Sequence, residues 1–158
     1  KYAETKFAAH SEKQIDEFKA ILQESGYPGE KRIGTELFMS TILSHHNSIS
    51  KNYNSKDSLY LSLKPQLDLA LIKGEISAFS YAMIEEWYRA VIDDKELPTF
   101  GILNAPVQVD LAKTNQLRAE VYLRSIEIHN KLIDIQEKTG MNFYLDGHPW
   151  NKGKIEVR

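Results

Sequence analysis

The sequence predicts a single, mainly α-helical domain over residues 1–158, built as a bundle of four or five helices. Apolar residues recur at helical spacing through most of the chain, and glycines and prolines separate the periodic segments. The 158 residues contain no internal repeat, low-complexity tract or long linker, and their number is typical of one domain. An apolar content of 42% with 27% charged residues is the balance of a globular protein.

The first two helices are predicted over residues 2–25 and 35–51. Each has an apolar face, which contains Ile15, Phe18, Ile21 and Leu22 in the first helix and Leu37, Phe38, Ile42 and His45 in the second. Gly26 is the expected C-cap of the first helix, and Pro28-Gly29 enforces a turn. Thr35 is the expected N-cap of the second helix.

The next two helices are separated by Gly74. Pro65 either kinks a helix over 56–73 or opens a fresh short helix. We favour the second interpretation, because proline suits the first helical turn, and we expect Gly74 to cap that short helix. Ser77 is the expected N-cap of a fourth helix that continues to about Asp93.

The longest helix is predicted to begin at Asp110 or Thr114 and to end at Gly140. Two adjacent apolar rows follow this segment, so we expect it to pack against more than one helix. Its length is about 35–40 Å at 1.5 Å per residue. In the tail, short apolar pieces over 143–145 and 155–157 predict a small β-ribbon that turns near Gly147.

Composition and motifs exclude several chemistries. The chain has no cysteine, which excludes disulfides, thiolate zinc sites and cysteine nucleophiles. A net charge of −2 with dispersed Lys and Arg predicts no nucleic-acid partner. No apolar run approaches the roughly 18 residues of a membrane span. The sequence has no glycine-rich phosphate loop, Gly-x-Ser-x-Gly elbow or Asp-rich calcium loop, so no cofactor is predicted.

The sequence is compatible with more than one cellular compartment. The chain begins at Lys1 rather than Met, and the absence of cysteine suits reducing and oxidising surroundings alike. We therefore expect either a cytoplasmic protein or one that is secreted or periplasmic after removal of an N-terminal signal.

The sharpest local feature is His45-His46-Asn47, late in the second helix. Because adjacent helical residues point about 100° apart, one histidine is expected to face the interior and the other solvent. Such a histidine acts either as a general base or metal ligand, or as a helix-end residue that bonds to carbonyl groups.

Two further positions suggest chemistry. Glu86 is either an acid or base in a cleft lined by Trp87 and Tyr88, or part of a solvated helix face on which Glu85 pairs with Arg89. Arg118 either binds an anion or belongs to a surface ion-pair ladder.

The order of the motifs resembles that of a bacterial family of uncharacterised domains of unknown function. The matching segments cover about residues 15–125 and are Gly26-Tyr27-Pro28, Ile33-Gly34, Lys73-Gly74-Glu75-Ile76, Ala82–Glu86, Phe100-Gly101-Ile102-Leu103 and Asn115–Arg118. An ungapped count from Gly34 puts the family's histidine at Asn47, and a gap is needed to recover His46. The family's Asp-Arg pair is Glu86-Trp87 here. The resemblance implies a helical fold with a cleft between the second and fourth helices and the loop near Gly101, but no activity.

Three functions follow as hypotheses. The favoured one is a non-catalytic binding or interaction module for an unknown small molecule or protein, with ligand-binding residues Asn47, Trp87, Tyr88 and Phe100. The alternative is a hydrolase-like enzyme that uses His45 or His46 as base, Glu86 as acid and Arg118 as anion clamp. A third is a divalent-metal site built from the same His and Glu residues. The enzyme requires these side chains to converge around one concavity.

Overall fold

The computed structural model describes residues 2–35, 37–49, 57–92, 99–103, 110–143, 145 and 154–156. Seven helices lie in these ranges: α1 (Tyr2–Ser25), α2 (Glu30–Ile33), α3 (Leu37–Asn47), α4 (Leu59–Ile72), α5 (Ala78–Ile92), α6 (Leu111–Glu120) and α7 (Ile126–Thr139). The same ranges contain no strand, which confirms the mainly α class. None of the described helices is both long and apolar enough to cross a membrane.

The chain divides into two compact units. Lys1–Asp94 forms the first, which holds α1 to α5, and Lys95–Arg158 forms the second, which holds α6 and α7.

The first unit packs around α3. This helix contacts α1, α4 and α5, and α4 also contacts α1 and α5. The side chains that are less than 3% exposed include Ile15 and Phe18 of α1, Leu43 of α3, Leu63 and Leu67 of α4, and Ile84 of α5. The helical periodicity of the sequence therefore identified Ile15, Phe18 and Leu22 of the α1 core correctly, but Ile21, predicted on the same face, is 42% exposed.

The loop after α1 lies against the turn between α4 and α5. Gly26 has a φ of 76°, and its amide donates to the Leu22 carbonyl at 3.0 Å, so it ends α1 as predicted. Tyr27 is 1% exposed and packs edge-to-face on Phe18, with ring centroids 6.1 Å apart. A Cβ on Gly29 would lie 2.0 Å from the Glu75 carbonyl oxygen, so only glycine fits this approach.

Several predicted helix ends are confirmed. Ser77 accepts a hydrogen bond from the Ser80 amide at 3.0 Å and begins α5. Gly74 follows α4 with a φ of 66°, and Gly140 ends α7 with a φ of 67°. The second predicted helix is described from Leu37, after the unpredicted α2, and the capping role predicted for Thr35 stays a prediction because residue 36 lies outside the described residues. The predicted ends of the second and fourth helices, Lys51 and Asp93, lie outside the described residues.

The predicted start of a helix at Pro65 is wrong. α4 is one helix over Leu59–Ile72, and Pro65 lies inside it. Pro65 is exposed, so solvent can bond the Leu61 carbonyl that has lost its helical amide donor. Local bonding favours the earlier start, because Asp57 Oδ1 accepts from the Leu59 amide at 2.8 Å.

The prediction of a single long C-terminal helix is also wrong. Asp110 caps α6 by accepting a hydrogen bond from the Lys113 amide at 3.0 Å. The helix ends at Glu120, and Tyr122 has a φ of 63°. Ser125 then caps α7 by accepting from the Ile128 amide at 3.4 Å. Ser125 is the residue that indicates a new helix start, but the apolar periodicity continues on both sides of it and suggests one helix.

The predicted tail ribbon is not formed by the described residues. Residues 154–156 have no strand, and the Ile155 backbone instead bonds twice to the Asn130 side chain of α7, at 2.8 and 2.9 Å. The predicted turn near Gly147 lies outside the described residues.

Candidate functional site

His46 stands at the centre of a buried hydrogen-bonded chain in the first unit. Its Nδ1 lies 2.8 Å from Ser11 Oγ of α1, and its Nε2 lies 2.8 Å from Asp57 Oδ2, just before α4. His46 is fully buried, whereas His45 is exposed. One histidine of the pair therefore faces inward as expected, although the apolar pattern had placed His45 on that side.

The ionisation of Asp57 sets the direction of these bonds. Burial raises the pKa of Asp57. The hydrogen bonds from His46 and the Leu59 amide and the attraction of His46 lower the pKa by more than burial raises it, so the net pKa is below its usual range. An ionised Asp57 accepts the hydrogen of His46 Nε2. In the neutral ring, Nδ1 is then left to accept the Ser11 hydroxyl hydrogen.

The hydrogen-bonded series Ser11–His46–Asp57 has the residue types of an activated serine, but it is closed to solvent. Serine, imidazole and carboxylate in hydrogen-bonded order form the arrangement that makes a hydroxyl nucleophilic. Ser11 is only 3% exposed, and the Asp57 side chain only 2%. In this conformation the three groups join α1, α3 and the start of α4.

Asn47 is fully buried beside His46. Its side-chain Nδ2 donates to the Ile84 carbonyl of α5 at 3.0 Å. Asn47 therefore joins α3 to α5 and does not face solvent in this conformation.

A second polar cluster surrounds Glu85 of α5. The buried Glu85 carboxylate accepts a hydrogen bond from the Tyr60 hydroxyl, lies 3.5 Å from Lys64 Nζ, and lies 3.8 Å from Arg89 Nε. The predicted pair with Arg89 is present. The expected solvated position of Glu85 is wrong, because the residue is only 4% exposed.

This cluster continues outward from Lys64. Lys64 Nζ donates to the Tyr81 hydroxyl at 2.5 Å and to Asp68 Oδ1 at 3.0 Å, and the Tyr81 hydroxyl itself donates to Asp68. The Lys64 and Asp68 side chains are 35% and 47% exposed. The chain of bonds therefore leads from a buried carboxylate to the surface.

The cluster holds its tyrosines neutral and its lysine charged. Burial and the charge of Glu85 raise the pKa of Tyr60, and burial and the bond to Asp68 raise that of Tyr81. Burial lowers the pKa of Lys64. The charge of Glu85 and the bonds to Tyr81 and Asp68 raise the pKa by more than burial lowers it, so the net pKa is well above its usual value. These three groups do not change protonation near neutral pH.

The remaining predicted residues of α5 are one buried carboxyl group and two partly exposed aromatic residues. Glu86 is 1% exposed, so it is buried rather than solvated. Trp87 and Tyr88 are partly exposed, and the Tyr88 ring packs against Tyr60 with centroids 5.1 Å apart. Burial and the carboxylates of Asp57 and Glu85 raise the pKa of Tyr88.

Arg118 is buried in the second unit. Its Nη1 donates to the Phe100 carbonyl at 2.6 Å, and its Nε donates to the Arg124 carbonyl at 2.7 Å. Arg118 and Phe100 are 3% and 1% exposed, so the expected surface ion-pair ladder is wrong. These two bonds join the Phe100 loop, α6 and the turn before α7.

The structure groups only some of the predicted residues. His46, Asn47, Glu86, Trp87 and Tyr88 belong to the first unit, where α3 contacts α5. Arg118 and Phe100 belong to the second unit, so the anion clamp beside His46 stays a prediction. Among the residues that the structure describes, no three or more His, Asp or Glu side chains are arranged to hold a metal ion.

One face of α4 exposes apolar side chains, a feature that the sequence patterns missed. We call Leu61, Pro65, Leu69 and Ile72 the outer face of α4. Leu61 is 47% exposed, Leu69 48% and Ile72 69%, and Pro65 is exposed. At 100° per residue these positions span about 80° of the helix. The opposite side buries Tyr60, Leu63, Leu67 and Ala70, so α4 is apolar both inward and outward.

Comparison of the chain with protein-family models, curated proteins and solved structures finds no match. The resemblance to the bacterial family therefore stays a prediction.

Proposed function

We propose that this chain is a non-catalytic interaction module that binds a protein partner through the outer face of α4. The observation that carries this proposal is the exposure of Leu61, Leu69 and Ile72 on a helix whose other side is already buried. A surface helix normally places polar residues opposite its buried stripe. α4 departs from that rule at Leu61, Leu69 and Ile72.

The energetics of hydration support a binding role for this face. Apolar surface in water costs about 25 cal/mol per Å² relative to burial, so a partner that covers the face gains free energy. Contiguous apolar patches of this kind mark interaction sites in soluble proteins. Lys64 and Asp68 flank the patch with partly exposed charges, as in the polar rim of an interface.

The state of the interior polar groups supports a non-catalytic role. A general acid or base must reach its substrate and change protonation near the working pH. His46 has both ring nitrogens bonded within the chain, and Glu85 is held by Tyr60, Lys64 and Arg89. Apart from the Glu85–Arg89 pair within α5, these bonds join α3 or α5 to other parts of the first unit, which is a structural task.

Site-specific photocrosslinking tests the proposal. The photoreactive residue p-benzoylphenylalanine is placed at Leu69 in cells that produce the full chain. The matched control places it at Glu17, on α1, where the side chain is 65% exposed. We expect one discrete crosslinked species from position 69 and none from position 17. We also expect Ile72→Glu to remove that species, because a charge on the same face prevents docking.

Two results would overturn the proposal. One is the absence of a crosslinked species at position 69. The other is a species at position 69 that forms equally at position 17 or survives Ile72→Glu.

A hydrolase is the second candidate function. The observation that favours it is the hydrogen-bonded series Ser11–His46–Asp57. In this reaction Ser11 Oγ would attack a carbonyl carbon and pass its proton to His46 Nδ1. The leaving group would take that proton as its bond to the carbonyl carbon breaks. A water molecule would then release the acyl group and restore the serine. The reaction requires the buried hydroxyl to become accessible.

A fluorophosphonate probe tests this candidate, because an activated serine displaces fluoride and bonds to the probe's phosphorus. An active chain becomes labelled at Ser11, and Ser11→Ala and His46→Gln abolish the label. Ser62→Ala, at an exposed serine of α4, is the control that keeps it. A wild-type chain that takes no label, or a label that survives Ser11→Ala, rejects the hydrolase.

A further inference from the structure

We propose that the partner of the outer face of α4 is a second copy of this chain, bound so that the two α4 helices pack antiparallel about a two-fold axis. This inference rests on the proposed function and names its partner. It is carried by the order of apolar and charged residues along α4.

The apolar residues of the outer face are spaced so that they complement themselves. With the axis midway between positions 61 and 72, Leu61 lies opposite Ile72 of the second copy. Pro65 lies one residue, or about 1.5 Å along the helix axis, from the point opposite Leu69. Every apolar residue of one helix is then close to an apolar residue of the other. A two-fold interface requires this self-complementarity, because the same patch supplies both sides.

The flanking charges complement themselves about the same axis. Lys64 and Asp68 lie on the same flank of the outer face, and their side chains are 35% and 47% exposed. In an antiparallel pair the same flanks of both copies meet, which brings Lys64 close to Asp68 of the second copy, and the reverse. In a parallel pair the two charged flanks lie on opposite sides and do not meet. The charges therefore favour the antiparallel arrangement.

The size of the face predicts weak association. α4 has 14 residues, so it is about 21 Å long. A pair of such helices buries less than the roughly 1,200–2,000 Å² of a stable interface. We therefore expect a dimer that forms and dissociates rapidly and becomes populated as concentration rises.

Disulfide trapping tests the arrangement, and the natural chain suits it because it has no cysteine. Leu61→Cys and Ile72→Cys variants of the full chain are oxidised separately and as an equal mixture. Antiparallel packing places position 61 next to position 72 of the second copy, but about 16 Å from position 61 of that copy. Because disulfides require Cα atoms less than about 7 Å apart, we expect the mixture to link several-fold faster than either variant alone.

Ile21→Cys is the matched control, since Ile21 is 42% exposed on a different helix. Circular dichroism of each reduced variant verifies that the fold is retained. A mixture that links no faster than Ile21→Cys overturns the second copy as partner. Leu61→Cys that links to itself as fast as the mixture links overturns the antiparallel arrangement.

The two proposals fail in different ways. If position 69 photocrosslinks to a different protein and the cysteine mixture stays unlinked, only the identity of the partner is wrong. If position 69 gives no photocrosslink and the mixture stays unlinked, both proposals are wrong.

Discussion

At the scale of single residues, the first unit contains polar side chains in its interior. His46 and Asn47 are fully buried, and Glu85 and Glu86 are nearly so. Buried polar groups are costly unless they are hydrogen-bonded, and the bonds of His46, Asn47 and Glu85 reach other helices. These residues therefore contribute to stability and specify which helices pack together.

The Asp57 carboxylate is expected to make stability depend on acid pH. Its pKa in the folded chain is lowered, so its contribution is present above about pH 4 and is lost as pH falls through the folded pKa. Asp57→Asn should lower the free energy of unfolding at pH 7 by about 1–3 kcal/mol, because one amide oxygen cannot serve both His46 and the Leu59 amide. It should also flatten the dependence of stability on pH below pH 4.

Urea unfolding between pH 2 and pH 7 measures both effects. Asp16→Asn, at an exposed position of α1, is the control. An Asp57→Asn chain with the same acid dependence as the wild type would show that this carboxylate has no such role.

The hydroxyl of Tyr60 is expected to stabilise the fold through Glu85. Tyr60→Phe leaves the ring in place but removes a donor from a buried carboxylate, which should cost about 1–3 kcal/mol. The control is Tyr122→Phe, since Tyr122 is 68% exposed and should change stability little. Thermal unfolding of both variants is the measurement, and equal melting temperatures would contradict the role of the hydroxyl.

At the scale of elements, the sequence predicts helix ends better than helix continuity. Gly26, Gly74 and Ser77 end or begin helices as expected, because capping depends on a few adjacent residues. The sequence patterns do not predict that α4 continues through Pro65 or that α6 ends before Tyr122. A proline is tolerated where its side of the helix is exposed, and apolar periodicity continues across a break when both pieces bury a face.

Long-range contacts explain why the site was only partly predicted. His46 meets Ser11 from 35 positions earlier in the chain and Asp57 from 11 positions later, and no local spacing connects the three. The motifs behind the family resemblance also meet in pairs: the Gly26–Gly29 loop lies on Glu75, Asn47 bonds to Ile84, and Arg118 bonds to Phe100. These contacts give each of those motifs a structural task.

Gly29 should be intolerant of any side chain. Gly29→Ala places a methyl group 2.0 Å from the Glu75 carbonyl oxygen, where only backbone can give way, so we expect a loss of about 1–3 kcal/mol or more. Gly34→Ala is the matched control: its φ of 74° is strained for alanine, but its Cβ would meet nothing within 4 Å. That strain alone costs about 1–2 kcal/mol.

Urea unfolding of the two glycine variants separates collision from backbone strain. Gly29→Ala should unfold at the lower urea concentration. A Gly29→Ala chain as stable as Gly34→Ala would mean that the loop and the turn do not approach as described.

At the scale of the whole molecule, the sequence predicts the fold class but not the exposed apolar face of α4. Helical periodicity runs through the chain and reports which residues avoid water, so it predicts helices. It does not distinguish an apolar face that packs inside the chain from one that packs on a partner. α4 has one buried and one exposed apolar face, which is why Leu69 and Leu67 look alike in the sequence but differ in exposure, at 48% and 1%.

α4 thus buries one apolar face and exposes the other, and the proposed binding role depends on this division. Urea unfolding of Leu67→Ala and Leu69→Ala at low protein concentration measures the division, because the substitution is the same and only the face differs. We expect a loss of about 2–5 kcal/mol for Leu67→Ala and less than about 1 kcal/mol for Leu69→Ala. Equal losses in the two variants would mean that Leu69 belongs to the core and is not free to bind a partner.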